Sequence, residues 1–221
     1  MDQLNPPRTP RLRAIVSSLT LVVAVSFVSP VQVHAQSADS TLGGWGEFAL
    51  AYGSLHALSD TSGGSRHLDG YSFVFGGGTT RPHLHAGVVL DIWQHKFPHG
   101  EKETANVAVT AVALYYPSRR SGLFLEGGLG ISDYRMLKGL HGGLLFESVD
   151  TTYYKALGFT GTIGIGWDVR TGSSSSFISP RVTYLYGAPR TLHSPNRATV
   201  ATGSTQHMLE VSVALVGYDV R

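Results

Sequence analysis

Beyond residue 35, apolar side chains alternate with small or polar ones at a period of two, and no long window shows the i, i+3, i+4, i+7 spacing of an amphipathic helix. The alternating runs are rich in Val, Ile, Leu, Phe and Tyr, and clusters of Gly, Pro, Ser, Asn and Asp part them. They predict eight strands, at 44–54, 68–79, 83–94, 104–116, 123–134, 153–169, 177–187 and 206–218. The connections alternate in length: 80–82, 117–122 and 170–176 are short turns, whereas 55–67, 95–103, 135–152 and 188–205 are longer. Short turns at one end and longer loops at the other mark membrane-spanning barrels. The pattern predicts an all-β fold, an eight-stranded antiparallel up-and-down transmembrane β-barrel with both chain ends on the short-turn side.

The two faces of each predicted strand differ. In 123–131, Leu123, Leu125, Leu129 and Ile131 alternate with Phe124, Glu126, Gly128 and Gly130. In 157–168, Leu157, Phe159, Ile163, Ile165 and Trp167 alternate with Gly158, Thr160, Thr162, Gly164, Gly166 and Asp168. In the last strand Leu209, Val211, Val213 and Leu215 alternate with Glu210, Ser212 and Ala214. One face is bulky and apolar; the other is small or bears a single charge. A soluble periplasmic ligand-binding barrel is the alternative, and it would need charge over its whole outside. The small face is too poor in charge for that role. It suits a narrow lumen, because eight strands leave room only for side chains. The bulky face then meets lipid, where a closed sheet satisfies every backbone group. Three stretches fit less well. The strand at 104–116 is apolar on both faces, and only Asn106 and Thr110 mark the inward one. Pro180 lies inside the seventh strand, where it cannot donate to the ladder. The apolar segment 139–146 reads as a hairpin extending the fifth and sixth strands.

The first 35 residues follow another rule. Arg8, Arg11 and Arg13 precede an uncharged apolar run at 14–28, Ser29 and Pro30 break it, and Val33-His34-Ala35 puts small residues at −3 and −1. These features predict a secretory signal peptide over 1–35, cleaved after Ala35, and a barrel domain over 36–221. The apolar run is too short to cross a bilayer as a helix. Losing Arg8, Arg11, Arg13 and Asp2 lowers the formal charge from +2 to zero, so the basic surface that nucleic acid requires is missing. A charged fraction of 14% beside 42% hydrophobic residues argues against disorder. With no cysteine there is no disulfide framework and no lipid-modified N-terminus.

Six charges fall on the small, inward faces: Glu47, Asp91, Glu126, Asp168, Arg181 and Glu210. A charge in a narrow lumen must be paired or wet. Carboxylates outnumber bases among these six, so His85, Arg81 or water must help. The aromatics gather near strand ends, which predicts interfacial girdles. Those assigned here are Trp45, Tyr52, Tyr71, Tyr115, Tyr134, Tyr153, Trp167, Tyr184, Tyr186 and Tyr218.

The leader, the strand count, the loop alternation, Leu123–Ile131, Gly161-Thr-Ile-Gly-Ile-Gly-Trp167 and the last strand together resemble the small eight-stranded outer-membrane barrels. The likeness is to those of the OmpA transmembrane-domain and OmpX kind, and it covers 36–221. It implies that the six lumen charges form a salt-bridge network plugging the barrel. It implies residence in the outer membrane of a Gram-negative-type bacterium, as a monomer. The implied partners are outer-membrane lipid and lipopolysaccharide, periplasmic chaperones and the barrel-assembly machinery, with no nucleic acid. The family usually ends on an aromatic residue; here Tyr218 is followed by Asp219, Val220 and Arg221. The expected role is structural or adhesion-like, through the long loops, whose Arg66, Lys138, Arg190 and Arg197 suit lipopolysaccharide or anionic host polymers. The alternative for the lumen is a narrow ion or small-solute pore.

Candidate chemistry is thin. His83 and His85 lie two apart on a predicted strand and would share a face; His95 and His99 sit with Glu101 and Glu103. Neither pair has a third ligand at fixed spacing, so no metal and no cofactor is expected. His193-Ser194, with Glu210 beyond, is the pair that invites a lipid A acyl hydrolase. Adjacent residues on a strand point opposite ways and Pro195 follows, so no catalytic residue is assigned there.

Overall fold

The period-two runs form strands whose ladder closes on itself. The computed structural model of the chain describes residues 43–58, 65–96, 103–118, 121–137, 152–171, 175–189, 191–193, 199–202 and 205–219. The leader predicted over 1–35 and the hairpin expected at 139–146 lie outside them. The strands are β1 (Gly43–Leu58), β2 (Ser65–Arg81), β3 (Leu84–Lys96), β4 (Glu103–Tyr115), β5 (Leu123–Leu137), β6 (Thr152–Trp167), β7 (Val169–Arg170), β8 (Ser176–Pro189), β9 (Thr191–His193), β10 (Thr199–Thr202) and β11 (Gln206–Asp219). Eight of them make an antiparallel ring, β1-β2-β3-β4-β5-β6-β8-β11, and β11 pairs back onto β1 from Gly44↔Asp219 to Ala57↔Gln206.

The backbone corrects the sequence reading in three places. β1 and β2 run past their predicted ends to Leu58 and Ser65, because their alternation continues beyond the last bulky apolar residues. The region 188–205, expected as a loop, holds the short antiparallel pair β9 and β10, and His193 pairs with Lys155 of β6. The sixth strand, expected to be continuous over 153–169, is broken at Asp168. The β6–β8 pairs stop at Gly166↔Arg181 and resume as β7–β8 at Val169↔Ile178, in unchanged register. The two missing pairs lie opposite Pro180 and Ser179. Pro180 has no N–H to give, which opens the ladder there. The Asp168 N–H turns the other way and donates to the Gly122 carbonyl at 2.9 Å. Gly122 has φ 67°, the left-handed region that favours glycine, and a Cβ there would stand 2.4 Å from the Asp168 oxygen.

Parity decides which residues are shielded. Odd positions point inward on β1, β3 and β8; even positions do so on β2, β4, β5, β6 and β11. The outward set is apolar and bare: Leu129 is 77% exposed, Phe159 68% and Ile163 64%. Hydrophobic exposure on this scale, wrapped round a closed sheet, is what a hydrocarbon surrounding accommodates. The soluble-barrel alternative, with apolar residues inside, is thereby overturned. The lumen holds two apolar clusters. One lies toward the short turns and contains Trp45, Val112, Leu114, Tyr116, Phe124 and Phe177. The other lies toward the long connections and contains Leu55, Leu68, Trp93, Tyr134, Leu185 and Met208.

Inward glycines are what let these large side chains fit. A Cβ at Gly166 would stand 2.3 Å from the Phe124 ring, and one at Gly70 would stand 2.1 Å from the Gln94 carbonyl oxygen and 2.6 Å from the Trp93 ring. Backbone cannot yield as a side chain does. Gly70→Val is therefore expected to cost about 3 kcal/mol. A lowered urea midpoint of the folded protein in detergent would register it.

Candidate functional site

The chemistry-bearing side chains gather in the lumen, and the strands set their heights. All six predicted inward charges are buried there: Glu47 on β1, Asp91 on β3, Glu126 on β5, Asp168 between β6 and β7, Arg181 on β8 and Glu210 on β11. Arg181 stands at the centre. Its Nη1 and Nη2 donate to Glu47 Oε1 and Oε2 at 3.1 and 2.5 Å, a forked ion pair. Its Nη1 is also 3.6 Å from Glu126 Oε2, and its guanidinium lies 5.5 Å from the centre of the Phe124 ring. Across the lumen the Ser72 hydroxyl donates to Glu210 Oε1. Asp91, Glu126, Arg181 and Glu210 line one cavity of about 30 Å³ together with Thr110 and Thr162. That is room for a water molecule or two. Val74 and Val89 of the first apolar cluster and Leu185 of the second line the same cavity, so among the described residues the charged layer lies between two apolar clusters.

Toward the short turns, Asp168 is part of a separate cluster. Tyr116 and Tyr218 both donate to Asp168 Oδ2, at 2.8 and 2.7 Å, and their own oxygens are 3.1 Å apart. Tyr116 sits in the turn after β4. Burial, and next the Asp168 charge, push its phenol well above the usual range, so it keeps its proton as a donor. His85 packs against both rings, tilted to Tyr116 at 4.5 Å and edge-on to Tyr218 at 5.3 Å. Toward the long connections, Gln206 Nε2 donates to Asn106 Oδ1 at 3.2 Å and to Ser132 Oγ at 2.8 Å. The marks of the inward face of β4, Asn106 and Thr110, are both buried.

The girdle needs correction. Tyr52, Tyr71, Tyr115, Trp167, Tyr184 and Tyr186 occupy outward positions. Trp45, Tyr134 and Tyr218 do not: they share parity with Glu47, Glu126 and Glu210 and are turned into the lumen. Proximity to a strand end placed them in the girdle; parity places them inside. The side chain of Tyr153 lies outside the described residues. His83 and His85 also part company. His83 lies in the β2–β3 turn, its ring nitrogen Nδ1 2.9 Å from the Tyr116 carbonyl oxygen, so the two histidines do not share a strand face. Among the described residues no three His, Asp or Glu side chains are set to hold a metal ion. His99, Ser194 and the side chain of His193 lie outside the described residues. Glu210 is engaged in the lumen, so it is not available as the carboxylate of a rim site.

Sequence reasoning missed Ser72, Tyr116, Gln206 and Ser132, and took Asn106 only as a mark of the inward face. Their parity on the small faces was the signal that marks them.

A closed eight-stranded antiparallel barrel with an apolar exterior and a packed, partly charged interior defines the class of small outer-membrane β-barrels. Among solved structures the chain is similar to Neisserial surface protein A, at 15% identity and a TM-score of 0.50, over 78% of this chain and 96% of that one. It is also similar to the attachment invasion locus protein Ail of Yersinia pestis (11% identity, 78% and 98% covered, TM-score 0.49). A third is the outer membrane protein OprG of Pseudomonas aeruginosa (10% identity, 84% and 100% covered, TM-score 0.45). The likeness to the Neisserial protein shows the fold. No family model matches the chain, and no curated protein sequence matches it.

Proposed function

We propose that this protein is a non-conducting outer-membrane barrel that acts at its long-connection end, as a structural element and an attachment surface. The observation that carries the reading is the side-chain packing of the lumen among the described residues. Its charged layer encloses about 30 Å³ and lies between two apolar clusters, so a hydrated ion meets side chains on either side of it. A barrel with no passage through it acts by what it anchors and displays. The long connections, built on rigid strands, are where contacts with lipopolysaccharide or anionic polymers would be made.

The test has two arms. In planar bilayers the purified, heat-modifiable protein is expected to give no single-channel steps; discrete steps would overturn the shut lumen. Displayed on a non-adherent Gram-negative host, it is expected to raise attachment to immobilised sulfated polysaccharide. Shortening the β5–β6 connection and the region 188–205 between β8 and β11 is expected to abolish that gain while the barrel stays heat-modifiable. Attachment no higher than that of the bare host would sink the attachment role.

A further inference from the structure

From β2 to β6 the outward face changes character at one step of the ladder. One row of paired positions runs Phe73–Ile92–Val107–Asp133–Leu157 across β2, β3, β4, β5 and β6. The next outward row toward the long connections runs Tyr71–Gln94–Ala105–Arg135–Lys155. By parity all ten are outward positions. The first row is apolar but for Asp133, and the second is polar but for Ala105. Exposed tyrosines mark the boundary between hydrocarbon and headgroups, and Tyr71 is 68% exposed. The step from the first row to the second leads out of the hydrocarbon, on the side of the outer leaflet.

Arg135 and Lys155 stand directly opposite each other. Like charges on facing positions of an antiparallel pair repel. Asp133 answers both through one oxygen. Arg135 Nε and Nη2 donate to its Oδ2 at 2.9 and 2.5 Å, and Lys155 Nζ is 3.6 Å from the same atom. Two cations against one carboxylate leave a net positive charge. Among the described residues Arg135 Nη1 and Lys155 Nζ donate no hydrogen bond, and the Lys155 side chain is half exposed. Ile131, Leu157 and Phe159, all exposed, continue the same two strands into the hydrocarbon.

We propose that Arg135 and Lys155 hold a phosphate group of an acylated lipid in the outer leaflet, whose chains lie along Ile131, Leu157 and Phe159. Depth fits that occupant. Lys155 is two residues beyond Leu157, about 7 Å along a strand and about 5 Å of depth at the usual barrel tilt. The headgroup layer is about 5–8 Å thick on each side of the hydrocarbon. Charge fits as well. A phosphate supplies the negative charge that the pair still lacks, and its oxygens accept from Arg135 Nη1 and from the Lys155 ammonium. An uncharged or zwitterionic headgroup would leave that excess in place. The proposal rests on the barrel's place in the outer membrane and not on the attachment role above.

The folded full chain in detergent is titrated by native mass spectrometry with three probes. They are a diphosphorylated acyl-disaccharide lipid, the same lipid stripped of its phosphates, and inorganic phosphate. The phosphorylated lipid is expected to bind at least about 10-fold more tightly than the stripped one, the weight of one hydrogen bond to a charged group. Arg135→Gln combined with Lys155→Gln is expected to remove that preference. Both positions face outward, so the double variant should keep its heat-modifiable mobility, which separates loss of binding from loss of fold. Equal binding of the two lipids by the wild-type protein overturns the proposal, as does a preference that the folded double variant retains. Inorganic phosphate that binds as tightly as the phosphorylated lipid would overturn the lipid as the source of the phosphate.

Discussion

Replacing Arg181 with methionine is expected to lower stability by about 3–5 kcal/mol, because it strands two buried carboxylates without their cation. Arg181 is the base held by Glu47 through two hydrogen bonds, and it is the cation nearest Glu126. The cavity that Glu126 lines has room for a water molecule or two, too little to solvate two free carboxylates. The loss is a large share of the 5–15 kcal/mol that holds a typical domain. Removing the charge on both sides tests the cause. Glu47→Gln in the Arg181→Met background is expected to recover part of the stability, and urea midpoints of the four proteins of the cycle measure the coupling. Equal midpoints for wild type and Arg181→Met would mean that the ion pair contributes nothing to the fold.

The second large effect lies on the other face. Leu129, in the middle of β5, is at 77% the most exposed large apolar side chain among the described residues. In water, arginine there would be harmless. In a bilayer it is expected to cost about 2–4 kcal/mol at mid-depth. The same substitution at Leu123, at the short-turn end of β5, is expected to cost about 0–1 kcal/mol, because its depth is interfacial. Urea unfolding of both variants in lipid vesicles reads the difference. A depth-independent cost would argue that the exterior meets no hydrocarbon.

The fold was legible because a half-lipid, half-lumen strand writes two different alphabets on alternate positions. Leu123 to Ile131 and Leu209 to Leu215 are clear cases, and a single charge marks the small face in six of the eight strands. The same rule, applied to Trp45, Tyr134 and Tyr218, would have put them in the lumen; nearness to a strand end was the weaker signal. Other features need three dimensions. The break at Asp168 comes from Pro180 on the neighbouring strand, and only the register joins them. Arg181 finds Glu47 across 134 positions of sequence, through a β8–β11–β1 adjacency that the hydrophobic pattern does not state. β9 and β10 have three and four residues, too few for a period-two pattern to part them from a loop.

The cluster of Tyr116, Asp168 and Tyr218 bears on how the barrel shuts. Tyr218 belongs to β11, which forms the seam with β1, whereas Tyr116 and Asp168 belong to segments far from that seam in the chain. All three lie on the run β4-β5-β6-β8-β11, so the cluster braces that side of the sheet at its short-turn end without help from the seam. The side-chain bonds that do need the seam are those of Arg181 with Glu47 and of Ser72 with Glu210. The curve of the sheet and the joining of its edges are thus held by different sets of residues.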